Sequence, residues 1–375
     1  MATKRLAKRI GVMTGGGDCP GLNAVIRGVV HASKRRGWDV LGIEDATEGL
    51  VDLDFKKPHG NRWLTCQDVD RILGRGGTIL GTSNRSDPFR YVVRGDDGSS
   101  REEDVSRKVV ENYHKLGLDA LVSIGGDGSM RIAQKFIEKG LKIVGVPKTI
   151  DQDLNGTDYT FGYHTAVQTV TDAIDRIQDT AESHDRIMVI EVMGRDAGWI
   201  ALQAAIAGGA HACLIPEIPY HIDPVIDMIT QRELIGHPFA VVIVAEGAKP
   251  MGGGQSFAGA RQLGATQRLL GAGAKFAASI ELQVSHEVRV LVLGHLQRGG
   301  SPNEFDRVLG TRYGVHAVQL IEDEKFGHMV SLRTPNMGSV PIAEAVKEPR
   351  LVDPKGQLVH AAREVGIVFG DEPRA

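Results

Sequence analysis

Short apolar runs alternate with longer amphipathic stretches along most of this chain. The apolar runs predict buried strands at residues 10–13, 40–43, 120–124, 143–146, 187–192, 210–215, 240–245 and 288–293. The amphipathic stretches predict helices at residues 20–36, 102–115, 129–139, 164–182, 199–207, 260–281 and 307–322. From residue 331 onward the pattern weakens, and we expect only a short helix at 342–346 and an extended segment at 364–369. The alternation is typical of βαβ units and predicts an α/β fold with mainly parallel sheets flanked by helices.

Composition and charge narrow the class of protein. The chain has 375 residues, enough for about two domains. A net charge of −3 gives no overall positive field, so we expect neither a nucleic-acid partner nor an anionic membrane surface. No apolar run reaches membrane-spanning length, and the three cysteines lack the spacing of a disulfide framework or a zinc site. These features favour a cytoplasmic protein.

Three acidic loops follow predicted strands. The first acidic loop (residues 16–18) reads Gly-Gly-Asp, the second (125–129) Gly-Gly-Asp-Gly-Ser and the third (149–153) Thr-Ile-Asp-Gln-Asp. Open α/β sheets bind ligands at the carboxyl ends of their strands, and glycine with a helix N-terminus suits phosphate. Carboxylates beside a polyphosphate indicate Mg²⁺ or a base that acts on an acceptor. The loops therefore predict phosphoryl transfer.

Each acidic loop also has a simpler interpretation. The alternative is that Asp127 only caps the following helix and that Asp151 and Asp153 are turn residues at the surface. In an extended segment, however, these last two carboxylates point to the same side, where one could accept a proton while the other holds Mg²⁺. Known nucleotide signatures do not fit the first loop, because Pro20 breaks the Rossmann fingerprint and Leu22 replaces the lysine of a P-loop. A dinucleotide-dependent oxidoreductase is therefore disfavoured.

A set of cations flanks or follows the predicted strands rather than lying on helix faces. Arginine suits bidentate phosphate binding, although a single arginine is more often a surface ion-pair partner. Their shared position at strand ends indicates a second anionic ligand besides a nucleotide. The cations are Arg186, Arg195, Arg289, His295 and Arg298.

Several motifs in this order resemble the 6-phosphofructokinase family. They are the segments 16–23, 125–129, 147–153, 193–195 and 294–302, and the resemblance runs from about residue 10 to residue 310. It implies two unequal α/β domains with the active site in the cleft between them. It also implies transfer from MgATP to the 1-hydroxyl of fructose 6-phosphate, which gives fructose 1,6-bisphosphate in the committed step of glycolysis.

The resemblance divides the chain into two domains. Residues 1–162 with 297–347 would bind the phosphoryl donor and Mg²⁺, and residues 163–296 with 348–375 would bind the sugar phosphate. Arg186 and Arg289 resemble arginines that the family supplies from a neighbouring subunit. A homotetramer or a homodimer with shared active sites is therefore expected.

Residue roles follow from the same resemblance. Asp151 would be the base, Thr149 and Arg195 would stabilise the transferring group, and Asp127 with Asp153 would serve Mg²⁺. A non-catalytic sugar-phosphate sensor is disfavoured because Asp127, Asp151 and Arg195 are all present. The expected donor-binding residues are Gly17, Arg85, Gly126, Asp127, Gly128, Ser129 and Lys148. The expected sugar-phosphate residues are Thr149, Asp151, Arg186, Met193, Gly194, Glu246, Arg289, His295 and Arg298.

The phosphoryl donor is the main alternative left open. Pyrophosphate-dependent fructose 6-phosphate 1-phosphotransferases resemble one another in carrying Asp at the position of Gly128 and Lys at the position of Lys148. This chain combines Gly128 with Lys148. An Asp would crowd and repel the α-phosphate of a nucleotide, whereas a cation does not exclude ATP, so the glycine favours ATP. Gln152 is a further departure, because Asn is usual between the two aspartates.

Overall fold

The computed structural model describes residues 8–55, 60–94, 98–258 and 267–372 of the chain. The strands are β1 (Arg9–Thr14), β2 (Asp39–Ile43), β3 (Arg62–Leu64), β4 (Tyr91–Arg94), β5 (Ser100–Glu103), β6 (Ala120–Gly125), β7 (Ile143–Pro147), β8 (Ile187–Val192), β9 (Ala212–Leu214), β10 (Ala240–Ala245), β11 (Phe257–Ala258), β12 (Arg268–Leu269), β13 (Val288–Val292), β14 (His328–Arg333) and β15 (Asn336–Pro341). The helices are α1 (Leu22–Lys34), α2 (Glu48–Val51), α3 (Cys66–Val69), α4 (Ser106–Lys115), α5 (Asp127–Glu138), α6 (Tyr163–Ser183), α7 (Trp199–Ala207), α8 (Asp223–Leu234), α9 (Ala272–Ile280), α10 (Glu304–Glu322), α11 (Ile342–Ala345) and α12 (Gln357–Glu364), with a 3₁₀ turn at Gly294–Arg298.

Two sheets of unequal size organise the chain. The large sheet has seven strands in the order β15-β14-β7-β6-β1-β2-β3, parallel except for the edge strands β3 and β15. The small sheet has four parallel strands in the order β13-β8-β10-β9. The predicted fold class is confirmed. Every strand of the large sheet falls in the predicted donor domain and every strand of the small sheet in the predicted sugar-phosphate domain, but the domain boundaries themselves stay a prediction.

Helices cover both faces of the large sheet, which is why its central strands read as continuous apolar runs. All six residues of β6 are buried, as are all five of β7. Helix α1, which follows the first acidic loop, packs closely against α10 through glycine. A Cβ on Gly28 would lie 2.8 Å from the Thr311 carbonyl oxygen, and one on Gly314 would lie 2.3 Å from the Val25 carbonyl oxygen. This contact holds the start of α10, and the 3₁₀ turn before it, near the first acidic loop.

Most of the predicted elements are present, and the errors have local causes. Glu102 lies in the hairpin strand β5 rather than in a helix, because it pairs with Val92 of β4 in the antiparallel hairpin, and its carboxylate also forms an ion pair with Arg90. The predicted helix 260–281 is wrong at residues 268–269, which form β12. Its actual start follows Gly271 with a φ of 90°, and residues 260–266 lie outside the described part of the chain.

The sequence near the C-terminus gave little indication of secondary structure. The hairpin β14–β15 was not predicted, because β15 is a half-exposed edge strand with few apolar residues. The helix predicted at 342–346 is confirmed as α11. The extended segment predicted at 364–369 is shorter than expected, since Glu364 ends α12 and only the part around Val368 pairs with Ala212, the first residue of β9. Among the helices described here, none has the length and hydropathy to cross a bilayer.

Candidate active site

The three acidic loops meet at one edge of the large sheet. They follow β1, β6 and β7, which are parallel neighbours, so their carboxyl ends are adjacent. Backbone hydrogen bonds join the loops directly. Gly15 N–H donates to the Ile124 carbonyl at 2.9 Å, and Lys148 N–H donates to the Gly125 carbonyl at 2.9 Å. The three acidic loops are therefore adjacent in the fold.

Glycine lets the first and second acidic loops close on the start of α5. A Cβ on Gly125 would lie 2.2 Å from the Ser129 Cβ, and one on Gly15 would lie 2.7 Å from the Ser129 Oγ. At Gly17 the space for a side chain is taken by a cation, because a Cβ there would lie 2.7 Å from Arg298 Nη1. Gly128 is the contrast, since a Cβ there would meet no atom within 4 Å. The N-terminus of α5 thus faces open space at Gly128 and leaves room for a phosphate-bearing ligand.

Two cations reach the first acidic loop from different parts of the chain. Lys148 is only 3% exposed, and its ammonium donates a hydrogen bond to the Gly17 carbonyl. Arg298, from the 3₁₀ turn after β13 of the small sheet, donates from Nη1 to the Asp18 carbonyl at 3.2 Å. Burial lowers the pKa of Lys148. The two sheets therefore contribute positive charge to the same cleft.

The third acidic loop places two carboxylates in the interior. Asp151 is 5% exposed, and its N–H donates to the Thr149 Oγ1 at 3.0 Å. Within the described chain, one oxygen of Asp151 (Oδ1) and one of Asp153 (Oδ1) are buried without a hydrogen-bond partner. Gln152 between them has a φ of 57°, so the loop is a turn and not the extended segment that the sequence suggested. The Gln152 side-chain oxygen accepts from Thr160 N–H at 3.3 Å, which uses the unusual amide internally.

Burial and nearby charges change the pKa values of the two carboxylates in the third acidic loop. Burial raises the pKa of Asp151, and the positive charges of Arg298, Arg195 and Lys148 oppose that rise. Burial and the neighbouring Asp151 raise the pKa of Asp153 to about 6, with a further contribution from Asp127. Carboxylates from two acidic loops and cations from both sheets therefore act on one another at short range.

The small sheet supplies a tight turn after β8. Gly194 has a φ of 141° and Arg195 a φ of 51°, and Arg195 N–H donates to Glu246 Oε1 at 3.1 Å. Burial and Asp151 raise the pKa of Glu246 to about 7. Glu246 follows β10, the neighbour of β8, so Met193, Gly194, Arg195 and Glu246 lie together at the carboxyl ends of the small sheet.

Two residues that contact this turn from other segments were not predicted from the sequence. Gln297 is fully buried and its side-chain oxygen accepts from Met193 N–H at 3.2 Å. Gly247 is required because a Cβ there would lie 1.8 Å from the Arg195 carbonyl oxygen. Their only sequence signal is adjacency, since Gln297 lies beside Arg298 and Gly247 beside Glu246.

Two predicted site residues, Arg186 and Arg289, lie apart from this pocket in the single chain. Arg186 and Arg289 lie together at the amino ends of β8 and β13, where both pair with Glu287, with Arg186 Nε at 2.6 Å from Glu287 Oε2. The length of β8 separates Arg186 from Met193 by about 20 Å at the rise of a strand. His295 is exposed on the 3₁₀ turn, in reach of solvent.

The remaining residues expected to bind the phosphoryl donor lie at the solvent-facing side of the acidic loops. Asp127 forms an ion pair with Arg131 at 2.8 Å across one turn of α5. Arg85 is exposed, on a loop that contacts the first acidic loop through Thr82 Oγ1, which donates to the Gly16 carbonyl at 2.6 Å. Gly126 precedes Asp127 and caps α5 with extended backbone.

This α/β fold, with glycine loops, carboxylates and cations at the carboxyl ends of two parallel sheets, fits the class of phosphotransferases. The profile of the Phosphofructokinase family matches residues 9–321, and the chain belongs to this family, as the resemblance of its motifs predicted. The ATP-dependent 6-phosphofructokinase of Chloroflexus aurantiacus is 48% identical over 99% of this chain and 100% of that protein. The ATP-dependent 6-phosphofructokinase 2 of Clostridium perfringens is 46% identical over 97% and 99%. The solved phosphofructokinase of Saccharomyces cerevisiae has a TM-score of 0.73 at 31% identity, covering 91% of this chain and 45% of that one.

Proposed function

We propose that this chain transfers the γ-phosphoryl group of ATP to the 1-hydroxyl of fructose 6-phosphate, giving fructose 1,6-bisphosphate, the committed step of glycolysis. The observation that carries the proposal is the buried Asp151 carboxylate, one oxygen of which is left without a partner by the described residues and lies among three cations. The relatives named as ATP-dependent support ATP as the donor. The free thiols Cys19, Cys66 and Cys213 suit a reducing cytoplasm.

Asp151 is the proposed base. Its unpartnered Oδ1 can accept the proton of an acceptor hydroxyl as that oxygen attacks the phosphoryl group, a role worth about 10²–10⁴-fold. Thr149 and Arg195 stabilise the charge that develops on the transferring group. The pKa of Asp151 is raised, so activity requires a pH above that raised value and falls as the carboxylate is protonated.

Asp127 and Asp153 are the residues that would hold Mg²⁺. Among the described residues no group of three or more His, Cys, Asp or Glu forms a complete metal site. Mg²⁺ is nonetheless commonly bound by one or two carboxylates together with waters and substrate phosphates. The buried Asp153 Oδ1 without a partner fits that mode, because a cation would offset the burial that raises the pKa of this carboxyl. When bound, the ion would neutralise charge on the donor phosphates.

The donor and the sugar phosphate would enter from different sides of the cleft. We assign the donor to the large-sheet domain (1–162 with 297–347), at Gly17, Arg85, Gly126, Asp127, Gly128, Ser129 and Lys148. We assign the sugar phosphate to the small-sheet domain (163–296 with 348–375), at Met193, Gly194, Glu246 and His295, with Arg298 contributing from the start of the 297–347 segment. The open space at Gly128 supports a nucleotide over a smaller donor.

Arg186 and Arg289 are proposed to enter the active site of a neighbouring subunit, which makes the protein a homotetramer or homodimer with shared sites. Three observations support this. The two arginines lie side by side, both are partly or largely exposed, and β8 holds them about 20 Å from their own cleft. A second anion-binding group placed so far from its own pocket is best used by another copy.

Mixing of complementary variants tests the shared site. Arg186→Ala and Asp151→Asn should each be nearly inactive alone, but co-expression should restore roughly a quarter of the parental activity, because half of the dimers are hybrids with one intact site of two. The matched control mixes Arg186→Ala with Arg289→Ala. That pair should stay inactive, because both arginines come from the same neighbour and no hybrid site is complete. Equal behaviour of the two mixtures would show that each chain builds its own site.

The donor assignment is tested by a coupled assay with fructose 6-phosphate and Mg²⁺, supplied with ATP or with pyrophosphate in turn. Turnover with ATP and little with pyrophosphate is expected. The reverse result would support the alternative, a pyrophosphate-dependent fructose 6-phosphate 1-phosphotransferase. Absence of turnover with both donors would contradict the proposed function.

A further inference from the structure

A short segment near the C-terminus crosses the candidate active site behind its catalytic loops. We name residues 348–352 the strap. It lies beyond the 9–321 match to the family profile, and the sequence pattern gave it no role. Asn155 Nδ2 donates to the Glu348 carbonyl at 2.6 Å, and Arg350 N–H donates to the Asp153 carbonyl at 2.9 Å. The strap is therefore bonded directly to the third acidic loop and to the residues after it.

Arg350 continues these bonds with its side chain. Nη1 donates to the Asp158 carbonyl at 2.7 Å and to the Thr157 carbonyl at 3.2 Å. Backbone carbonyls of an irregular loop need such partners, and the guanidinium offers several donors in a fixed plane. The chain that leaves the third acidic loop is thus held by one arginine.

The same residue also bonds the small-sheet side of the site. Trp199 Nε1 donates to the Arg350 carbonyl at 3.0 Å, and the guanidinium lies over the Trp199 ring at 5.0 Å from its centroid. Trp199 begins α7, which directly follows the Arg195 turn. The N–H, the carbonyl and the guanidinium of Arg350 therefore link the loop of the proposed base to the turn of the proposed cation.

A second tie follows two residues later. Val352 N–H donates to Glu217 Oε1 at 2.8 Å, and the same oxygen accepts from Gly198 N–H at 2.9 Å. Gly198 is the residue before α7, so this partly buried carboxylate fixes the strap to the same turn. Both ends of the strap are thus anchored on elements that carry proposed catalytic groups.

We propose that Arg350 is a positioning residue for phosphoryl transfer, which holds the third acidic loop at a fixed distance from the Arg195 turn so that Asp151 and Arg195 face the reacting group together. This rests on the proposed function. Phosphoryl transfer depends mostly on positioning and charge, and a misplacement of about 1 Å can cost 10²-fold in rate. Arg350 does this without touching substrate.

Arg350→Ala tests the proposal, with Arg333→Ala as the matched control. Arg333 is another arginine beside Asp158, but it is largely exposed and only approaches the carboxylate at 4.0 Å. Arg350→Ala should lower kcat by roughly ten- to a hundred-fold while KM for ATP changes little, because the donor loops keep their own contacts. Arg333→Ala should stay within about twofold of the parent in kcat.

The kcat of fully folded protein separates positioning from a loss of stability. A variant that only unfolds more readily would lose activity in proportion to its unfolded fraction, whereas a loss of positioning lowers kcat in protein that circular dichroism shows to be folded at the assay temperature. Arg350→Lys, which keeps a cationic N–H donor group over Trp199, should recover part of the lost kcat.

Trp199→Phe provides a second variant that keeps an aromatic ring but removes the hydrogen bond to the Arg350 carbonyl. The kcat of Trp199→Phe should fall several-fold. The double variant Arg350→Ala with Trp199→Phe should lose less kcat than the product of the two single losses, because both residues act through the strap. Provided that the parent is active, three results would overturn the role of the strap but not the proposed function. They are an unchanged kcat in Arg350→Ala, equal losses in Arg350→Ala and Arg333→Ala, and losses that multiply when Arg350→Ala is combined with Trp199→Phe. A parent inactive with both ATP and pyrophosphate would instead overturn the proposed function.

Discussion

Asp151→Asn is expected to lower kcat by roughly 10²–10⁴-fold while the protein still folds. Asparagine has nearly the same volume and keeps the N–H bond to Thr149 Oγ1, but its side chain cannot accept the proton of the acceptor hydroxyl. The KM for ATP should change less than kcat, because the residues proposed to bind ATP are untouched. Steady-state kinetics in the coupled assay measures both quantities.

The stability of Asp151→Asn has a predictable sign. Burial raises the folded pKa of Asp151, so the folded state prefers the neutral carboxyl and stability is lost as pH rises from the unfolded pKa toward the raised value. A neutral amide avoids that loss, so the variant should unfold at the same temperature as the parent or higher at neutral pH. Asp119→Asn is the control, because Asp119 lies before β6, at the opposite edge of the sheet. Near-parental turnover in a folded Asp151→Asn protein would remove Asp151 from the role of base.

The central strands could be predicted from the sequence because parallel strands covered on both faces leave continuous apolar runs. The acidic loops could also be located, because glycine and aspartate directly after such a run indicate a turn into a helix, but each loop taken alone fitted a helix cap or a surface turn as well as a binding site. The order of the strands in the sheet could not be predicted from the sequence. Only the pairing of β1 with β6 and of β6 with β7 makes the loops adjacent, and the runs alone do not specify these neighbours.

The parts of the site that were not predicted depend on contacts with backbone atoms of residues that are distant in the sequence. Arg350 bonds the Asp153 carbonyl nearly two hundred positions away, and Gly247 matters only because the Arg195 carbonyl abuts it. No local pattern marks such contacts, because hydrophobic periodicity reports burial of side chains. Gln152 shows the converse case, in which an unusual residue was visible in the sequence but its internal bond to Thr160 was not.

Gly128→Asp is expected to reduce kcat/KM for ATP by roughly 10²-fold or more, since placing like charges side by side costs several kcal/mol. The fold should tolerate the change. Gly128 lies in the first turn of α5, a Cβ there meets no atom within 4 Å, and an acidic residue near a helix N-terminus is favourable. The loss would therefore come from the carboxylate entering the space proposed for the nucleotide.

Gly128→Ala is the matched control for Gly128→Asp, because it adds a Cβ in the same open space without charge. It should keep kcat/KM for ATP within about twofold of the parent. Pyrophosphate lacks the α-phosphate and the nucleoside, so the ratio of pyrophosphate to ATP turnover should rise in Gly128→Asp, with Lys148 still in place to bind the transferring group. Equal losses in the two variants would mean that volume and not charge excludes the nucleotide, whereas full ATP activity in Gly128→Asp would mean that the N-terminus of α5 does not face the donor at all.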